Sequence, residues 1–361
     1  MLSLARKHPR PKLAIIGGAR PNFMKIFPLC QACERASVPY VLINTGQHFD
    51  AVMAADFFKE FGLKPDYSLA PSRHSVVQQM ADIMTGLEKI FLQEQPDMVV
   101  VVGDVNSTLM GALVANKMGL PLAHIEAGLR SFNKQMPEEH NRKLSDYLAN
   151  YLFVTMEDGV KNLRREGITQ NVFLVGNIMI DTVKFFSARI DKTNEKFYFC
   201  TLHRPENVDH KNIFSQIVKA LEVIAQDAPV YFSLHPRTRK RAEEFSLLTR
   251  LQKICRMLPP LSYQQSLFYQ KNAQLVLTDS GGVQEETSFF GVPCLTLRRE
   301  TERPVTIRRG TNTIAGVTKN TIVKAYRQKK RGLRKTKIPL WDGHTAQRIV
   351  AKLIRLPLTL K

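Results

Sequence analysis

Short, continuous apolar runs alternate with helix-like segments along nearly the whole chain, and few folds accept that rhythm. Met98–Val102 (MVVVV) has no polar face, so a strand there must be covered on both sides, as in a parallel sheet. The same strand-then-helix pairing is read at Lys12–Gly18 with Asn22–Arg35, at Tyr40–Asn44 with Met53–Phe61, and at Met98–Val102 with Ser107–Lys117. It continues at Leu122–Ile125 with Glu139–Asn150, and at Leu152–Thr155 with Asp158–Glu166. The stretch Ile190–Lys196 (IDKTNEK) interrupts the pattern, which restarts at Phe197–Thr201. Beyond it come Asn212–Gln226, Val230–Leu234, Thr238–Lys253, Leu275–Thr278 and Pro293–Leu297. In the first of these, Ile213, Ile217, Leu221 and Ile224 share one helical face. At 361 residues the chain is longer than one core usually serves. The expected class is α/β, with two doubly wound domains facing a central cleft where strand carboxyl ends meet.

A turn near the end of that series carries the sharpest local signal. Thr278–Glu286 (TDSGGVQEE) joins a buried strand to a helix read over Gln284–Phe290. Ser280, Gly281 and Gly282 therefore lie where free backbone N–H groups and the helix dipole favour an anion. Glycines admit a ligand close to the backbone, so a phosphate is the natural guest. Glu286, one turn later, would repel phosphate but suits the hydroxyls of an attached sugar. A helix cap with glycines for a tight turn explains the same residues equally well.

Other strands also end in polar residues that a turn does not require. The first ends in Gly17–Pro21 (GGARP), with Lys25 one helical turn on, and Arg20 and Lys25 would face a diphosphate. Asp104 follows Met98–Val102, Glu126 lies in HIEAGLR (His124–Arg130), and Glu138 opens the helix after Met136. His203 ends the first strand of the second half, and Arg303 lies in Thr301–Pro304 (TERP). Singly, Asp104 reads as a helix cap, Glu138 as a first-turn dipole partner and Arg303 as a surface charge. Jointly they converge on one crevice, with carboxylates in the first half and phosphate-friendly groups in the second. One domain looks built for proton transfer and the other for holding a nucleotide.

Composition removes several alternatives. No apolar run approaches the roughly 18–20 residues of a membrane span, and the amino-terminal segment lacks the apolar core of a secretory signal, which predicts a cytoplasmic protein. The five cysteines show no framework spacing; Cys30 and Cys33 form a CxxC inside a helical pattern, read as reduced core rather than zinc or redox. No G-x-G-x-x-G fingerprint offers a seat for nicotinamide, so neither metal nor cofactor is expected. The formal charge of +20 is the outlier, with its densest run at Arg327–Lys337. That run contains no aromatic residue, and no nucleic-acid-binding motif appears, so specific nucleic-acid binding is not expected. It reads as a solvated basic face or a contact for an acidic surface.

Taken in order, these segments resemble the non-hydrolysing UDP-N-acetylglucosamine 2-epimerases. The resemblance rests on Gly18–Lys25, Thr45–His48, Gly103–Thr108, His124–Arg130, Pro137–Arg142, Gly176–Asn177, Leu202–Pro205, Thr278–Glu286 and Thr301–Pro304. It implies a GT-B-like pair of Rossmann-like domains over 1–185 and 186–343, with a helix in 344–361 returning to the first, and a homodimer. It also implies interconversion of UDP-GlcNAc and UDP-ManNAc for surface polysaccharide synthesis. Carried over by motif, Asp104, Glu126 and Glu138 become acid/base candidates, and His203 steadies the departing diphosphate. Arg20, Lys25, Ser280, Gly281, Gly282, Glu286 and Arg303 hold the nucleotide, with Glu286 on the ribose. Two departures stand out. Where the family often carries an aromatic near the uracil, this chain has Ser266, with Tyr263 and Phe268 as stand-ins. Some bacterial members bind a second UDP-GlcNAc as activator; Gln47, His48, Arg204 and His235 match that pattern loosely, and Asp50 departs from it. A hydrolysing epimerase, a GT-B glycosyltransferase and a non-catalytic basic binder of sugar nucleotides or polyanions remain as alternatives.

Overall fold

The computed structural model describes residues 10–47, 58–329 and 337–358. Two compact units are present: one built from residues up to Thr182 together with those from Asp342 onward, the other from Val183–Trp341. The His48 and Asp50 positions, most of the helix read at Met53–Phe61 and most of the basic run lie outside the described residues.

The first unit holds a parallel sheet of seven strands: β1 Leu13–Gly17, β2 Tyr40–Asn44, β3 Tyr67–Ser68, β4 Met98–Val102, β5 Leu122–Ala127, β6 Tyr151–Val154 and β7 Val172–Leu174. Their order is β3-β2-β1-β4-β5-β6-β7, so the winding reverses between β1 and β4. Every residue of β1, β4 and β5 is buried; β1 and β4 accordingly carry no polar residue, while β5 takes His124 and Glu126 inside. Ala14, Ile16, Val99 and Val101 pack against Met110, Ala112 and Val114 of helix Asn106–Lys117. Helix Thr345–Leu353 packs against helix Arg20–Arg35. Its first N–H groups, at Thr345 and Ala346, donate to Asp181 at 3.1 and 2.8 Å, which satisfies the helix start.

The second unit holds a six-stranded parallel sheet: β8 Tyr198–Leu202, β9 Val230–Leu234, β10 Cys255–Leu258, β11 Leu275–Thr278, β12 Cys294–Thr296 and β13 Asn312–Ile314. Its order, β10-β9-β8-β11-β12-β13, reverses between β8 and β11. Helix Lys211–Ile224 buries Phe214, Ile217, Leu221 and Ile224 on this sheet, while Ile213 is only partly covered. The segment read as one helix over 238–253 is two, Pro236–Glu244 and Leu248–Ile254, because Ser246 takes a left-handed φ of 59° between them. No helix among the described residues is long and apolar enough to cross a membrane.

Candidate active site

In doubly wound sheets the strand carboxyl ends at the reversal point form a natural ligand-binding edge. In the first unit those ends are Gly17–Arg20 after β1 and Gly103–Asp104 after β4. The side chain of Asn22 fastens the two together: its Oδ1 accepts from Gly18 N at 3.3 Å and Ala19 N at 3.1 Å, and its amide donates to Val102 O at 3.0 Å. Gly18 must be glycine, since a Cβ there would lie 1.9 Å from Ser107 Oγ. Helix Arg20–Arg35 starts at this turn, with Pro21 in its first turn.

Lys25, one turn into that helix, is buried and pairs with Glu126 from the end of β5. Sequence reasoning aims Lys25 at a diphosphate; the structure seats its ammonium on this carboxylate. Glu126 has a left-handed φ of 75° and lies where the β5–β6 register shifts. For a residue with a Cβ such a conformation costs about 1–3 kcal/mol, and such bulges re-aim a side chain. Gly103 closes the wall: a Cβ on it would lie 3.3 Å from Asn22 Nδ2, 3.4 Å from Glu126 Oε2 and 3.6 Å from Lys25 Nζ. Lys25, Glu126 and the Gly103–Asp104 turn are therefore immediate neighbours.

Helix Pro137–Leu148 fixes Asp104. Arg142 pairs with the Asp104 carboxylate, and Asn141 donates to Asp104 O and Asn106 Oδ1, both at 3.0 Å. The Asp104 side chain remains 32% exposed, so it can still meet a ligand. Glu138 lies in the first turn of this helix, exposed, one turn before Arg142. Its neighbour Glu139 points inward and accepts from Ser131 N, Ser131 Oγ, Phe132 N and Arg142 Nη1 at 2.8, 2.8, 3.1 and 3.1 Å. Burial pushes the Glu139 carboxyl up, but the Ser131 bonds and Arg142 outweigh it and hold it below its ordinary value. Arg20 is exposed at the same edge.

In the second unit the reversal point brings together His203 after β8 and Asp279–Ser280 after β11. Asp279 is fully buried and accepts from His203 N, Arg204 N and Asn207 Nδ2 at 3.1, 3.0 and 3.1 Å. His203 Nδ1 lies 3.0 Å from Asp279 Oδ1, while the imidazole is 43% exposed. Burial would raise the Asp279 carboxyl, but His203 and the backbone donors hold it below its usual range. Donation from Nδ1 to Asp279 leaves Nε2 as the outward-facing atom.

Ser280 occupies the N-cap position of helix Gly281–Phe290 without a side-chain capping bond, so Gly281 and Gly282 form its first turn rather than preceding it. Their N–H groups are among those a helix start leaves unpaired. A Cβ on Gly281 would approach Glu302 Oε1 at 2.9 Å and Arg303 Nη1 at 3.0 Å, so those side chains wall one side. A Cβ on Gly282 would find nothing nearer than Ser280 Oγ at 3.9 Å, which leaves that face open. Arg303 itself is bound to Glu285 and Glu302, each at 2.7 Å. Glu286 is buried and accepts from Gln270 Nε2 at 2.7 Å. Burial raises its carboxyl to about 7, against the opposing hydrogen bonds of Gln270 and Tyr263. Ser266 Oγ accepts from the same Gln270 amide at 3.1 Å, so Ser266, Gln270 and Glu286 are contiguous. Of the two aromatic stand-ins, Tyr263 is buried edge-on against Phe186 at 5.4 Å, and Phe268 lies edge-on to Tyr269 at 5.4 Å.

The comparisons with known proteins carry the same pattern. Residues 31–354 match the profile of the family described as UDP-N-acetylglucosamine 2-epimerase. The chain is 41% identical over 358 residues to the UDP-N-acetylglucosamine 2-epimerase of Methanocaldococcus jannaschii, covering 94% of this chain and 98% of that one. The chain belongs to the UDP-N-acetylglucosamine 2-epimerase family. Membership in this epimerase family makes it an isomerase. A crystal structure of the M. jannaschii UDP-GlcNAc 2-epimerase in complex with UDP-GlcNAc and UDP superposes with a TM-score of 0.85 at 40% identity, covering 95% of this chain and 99% of that one. Another family relative, the UDP-2,3-diacetamido-2,3-dideoxy-D-glucuronate 2-epimerase of Pseudomonas aeruginosa, is 40% identical over 327 residues, 88% of this chain and 91% of that one.

Sequence reasoning left several organising residues of this epimerase-family site without roles. Asn22, Glu139, Asn141, Arg142 and Asp279 hold the candidate groups in place. The signal for Asp279 is a carboxylate directly after the buried strand Leu275–Thr278. For Glu139 it was the i,i+3 spacing to Arg142, which lets the two meet on one helix face.

Proposed function

We propose that this chain interconverts UDP-N-acetylglucosamine and UDP-N-acetylmannosamine without hydrolysis. The observation that carries the reading is a pair of carboxylates at neighbouring strand ends, Asp104 and Glu126, each seated on a cation, Arg142 and Lys25. The sugar C2–H is not next to a carbonyl, so simple deprotonation is too costly. Elimination avoids that difficulty. A carboxylate takes the C2 proton, the C–H electron pair becomes the C1–C2 double bond, and the C1–O bond breaks with its pair remaining on the UDP β-phosphate oxygen. The product pair is UDP and 2-acetamidoglucal. Protonation of C2 from the other face and return of the phosphate oxygen to C1 complete the inversion.

That sequence needs a proton acceptor and donor on opposite faces and a place for the charge leaving with UDP. Asp104, Glu126 and Glu138 take the proton roles. His203, oriented by Asp279, offers Nε2 to the departing diphosphate. The first turn of Gly281–Phe290, with Ser280, holds phosphate; Glu286 receives ribose hydroxyls; and Arg20, Lys25 and Arg303 supply the positive field. The five cysteines are all buried and unpaired, which fits a reducing, cytoplasmic setting. The homodimer and a role in surface polysaccharide synthesis complete the reading.

The test is to incubate purified protein with UDP-GlcNAc and quantify sugar nucleotides and free UDP by anion-exchange chromatography. UDP-ManNAc approaching a fixed ratio with UDP-GlcNAc, with UDP no more than an enzyme equivalent, supports the proposal. UDP accumulating with free ManNAc in step with turnover replaces it with a hydrolysing epimerase. Turnover of UDP-2,3-diacetamido-2,3-dideoxy-D-glucuronate alone would move the substrate assignment to that sugar.

A further inference from the structure

Helix Pro137–Leu148 carries one more buried carboxylate, Asp146, which the proposed chemistry does not use. Its Oδ1 lies 2.7 Å from His124 Nδ1, and its Oδ2 accepts from Gly128 N at 3.0 Å. Those are the residues two before and two after Glu126. The other ring nitrogen of His124 lies 2.8 Å from the carbonyl oxygen of Gly103, the residue before Asp104. The imidazole thus bridges the Asp146 carboxylate and the turn after β4. Arg130 closes the outer side of Asp146 at 2.7 Å and reaches on to Glu166, with its Nε 2.9 Å from Glu166 Oε1. His124 and Asp146 are fully enclosed, and the Arg130 side chain has no exposure.

We propose that Asp146 is a positioning residue for proton transfer: its carboxylate staples both flanks of Glu126 and, through His124, ties them to the turn that bears Asp104. The inference rests on the reading that Glu126 and Asp104 handle the sugar C2 proton. A left-handed Glu126 at a register shift has an alternative, the extended strand of its neighbours, which would swing its side chain away. The staple removes that alternative, because extending residue 126 would displace His124 or Gly128 from the same carboxylate. Gly128 has no room to compensate: its φ is 78° and a Cβ on it would lie 2.5 Å from Gly159 O. Asn141 and Arg142 hold Asp104 from the same helix, so one rigid element references Glu138, Asp104 and Glu126 to one another.

The test is a double-mutant cycle between Asp146→Ala and Glu126→Gln, read as kcat and KM for UDP-GlcNAc epimerisation, with UDP affinity by calorimetry. A displacement of about 1 Å costs on the order of 10²-fold in rate, so Asp146→Ala is expected to lower kcat by about that factor, with UDP affinity unchanged. In the Glu126→Gln background the same substitution is expected to cost less than about 3-fold, because the group it positions has already gone. Asp146→Asn, which keeps an acceptor and the side-chain volume, serves if the alanine variant does not fold; it is expected to lose about 10-fold. Losses that multiply in the double variant would overturn the proposal in favour of a general stabilising role. Unchanged kcat in Asp146→Ala beside a crippled Glu126→Gln would overturn it while leaving the proton-transfer reading intact. Full turnover in Glu126→Gln would overturn both.

Discussion

Glu286 provides a pH dependence whose sign and size follow from its surroundings. Its carboxyl is buried beside Gln270, Tyr263 and Glu285, and burial raises it from its ordinary 4.5 to about 7. Between those two values an unfolded chain has lost this proton and the folded protein has kept it. Below about 4.5 both states are protonated, and the contribution is fully present. As pH rises towards 7 it is lost, and above 7 the folded protein carries the buried charge with no further change. At 1.36 kcal/mol per pH unit the span corresponds to about 3 kcal/mol. Glu286→Gln removes this titration while keeping an acceptor for Gln270. Urea unfolding, followed by the fluorescence of the single tryptophan, Trp341, which lies in the same unit as Glu286, measures the effect. The stability of wild type relative to the variant is expected to fall by about 3 kcal/mol from pH 4.5 to pH 8. Nucleotide binding adds a second readout. Ribose hydroxyls donate to an ionised carboxylate, so UDP binding at pH 6 is expected to release close to one proton, and at pH 8 almost none. Calorimetry in buffers of different ionisation enthalpy counts those protons. Identical pH slopes in wild type and variant, with equal proton release at pH 6 and pH 8, would refute the reasoning.

Three further outcomes follow from the site. Asp104→Asn, Glu126→Gln and Glu138→Gln are each expected to lower kcat by about 10²–10⁴-fold with UDP affinity retained; wild-type turnover in all three would remove the acid/base assignment. Gly282→Ala gains helix propensity of about 1 kcal/mol and meets no close neighbour, so the melting temperature is expected to hold or rise. UDP affinity is expected to weaken at least about 10-fold, and an unchanged Kd would show that nothing docks against that face. Asp279→Asn replaces an acceptor-only group with one that must also donate, towards His203 N, Arg204 N and Asn207. It is expected to cost about 2–4 kcal/mol of stability and to change the pH–kcat profile; a shifted melting temperature with the wild-type profile would leave Asp279 structural only.

The alternation of apolar runs and helices made the central strands of both sheets legible, because strands such as β1 and β4 are covered on both faces and contain only apolar residues and glycine. The edge strands β3, β7, β10 and β13, two to four residues long, were too short to mark themselves. What it passed over has physical reasons. Helix Val76–Glu94 carries its buried face only at Ile83, Leu87, Ile90 and Phe91, while Val76 and Val77 at its start are exposed, which blurs the amphipathic pattern. The break at Ser246 is announced by neither glycine nor proline. In the site, the chemistry-bearing residues could be read from their places at strand ends, but their partners could not. Lys25 meets Glu126, Arg142 meets Asp104 and His124 meets Asp146 because the order of strands puts β1, β4 and β5 side by side. No spacing along the chain encodes that order. For the same reason the Glu126 carboxylate could not be foreseen beside Lys25, which its place one turn into a helix marks as a phosphate ligand.

The most direct measurement of the central claim is proton NMR of the protein with UDP-GlcNAc in D₂O. Removal and return of the C2 proton through exchangeable carboxylates predicts UDP-ManNAc carrying deuterium at C2, with deuterium appearing at C2 of the recovered UDP-GlcNAc as the reaction reverses. UDP-ManNAc formed with its original C2 proton retained would contradict the account, because Asp104, Glu126 and Glu138 would then have no proton to move.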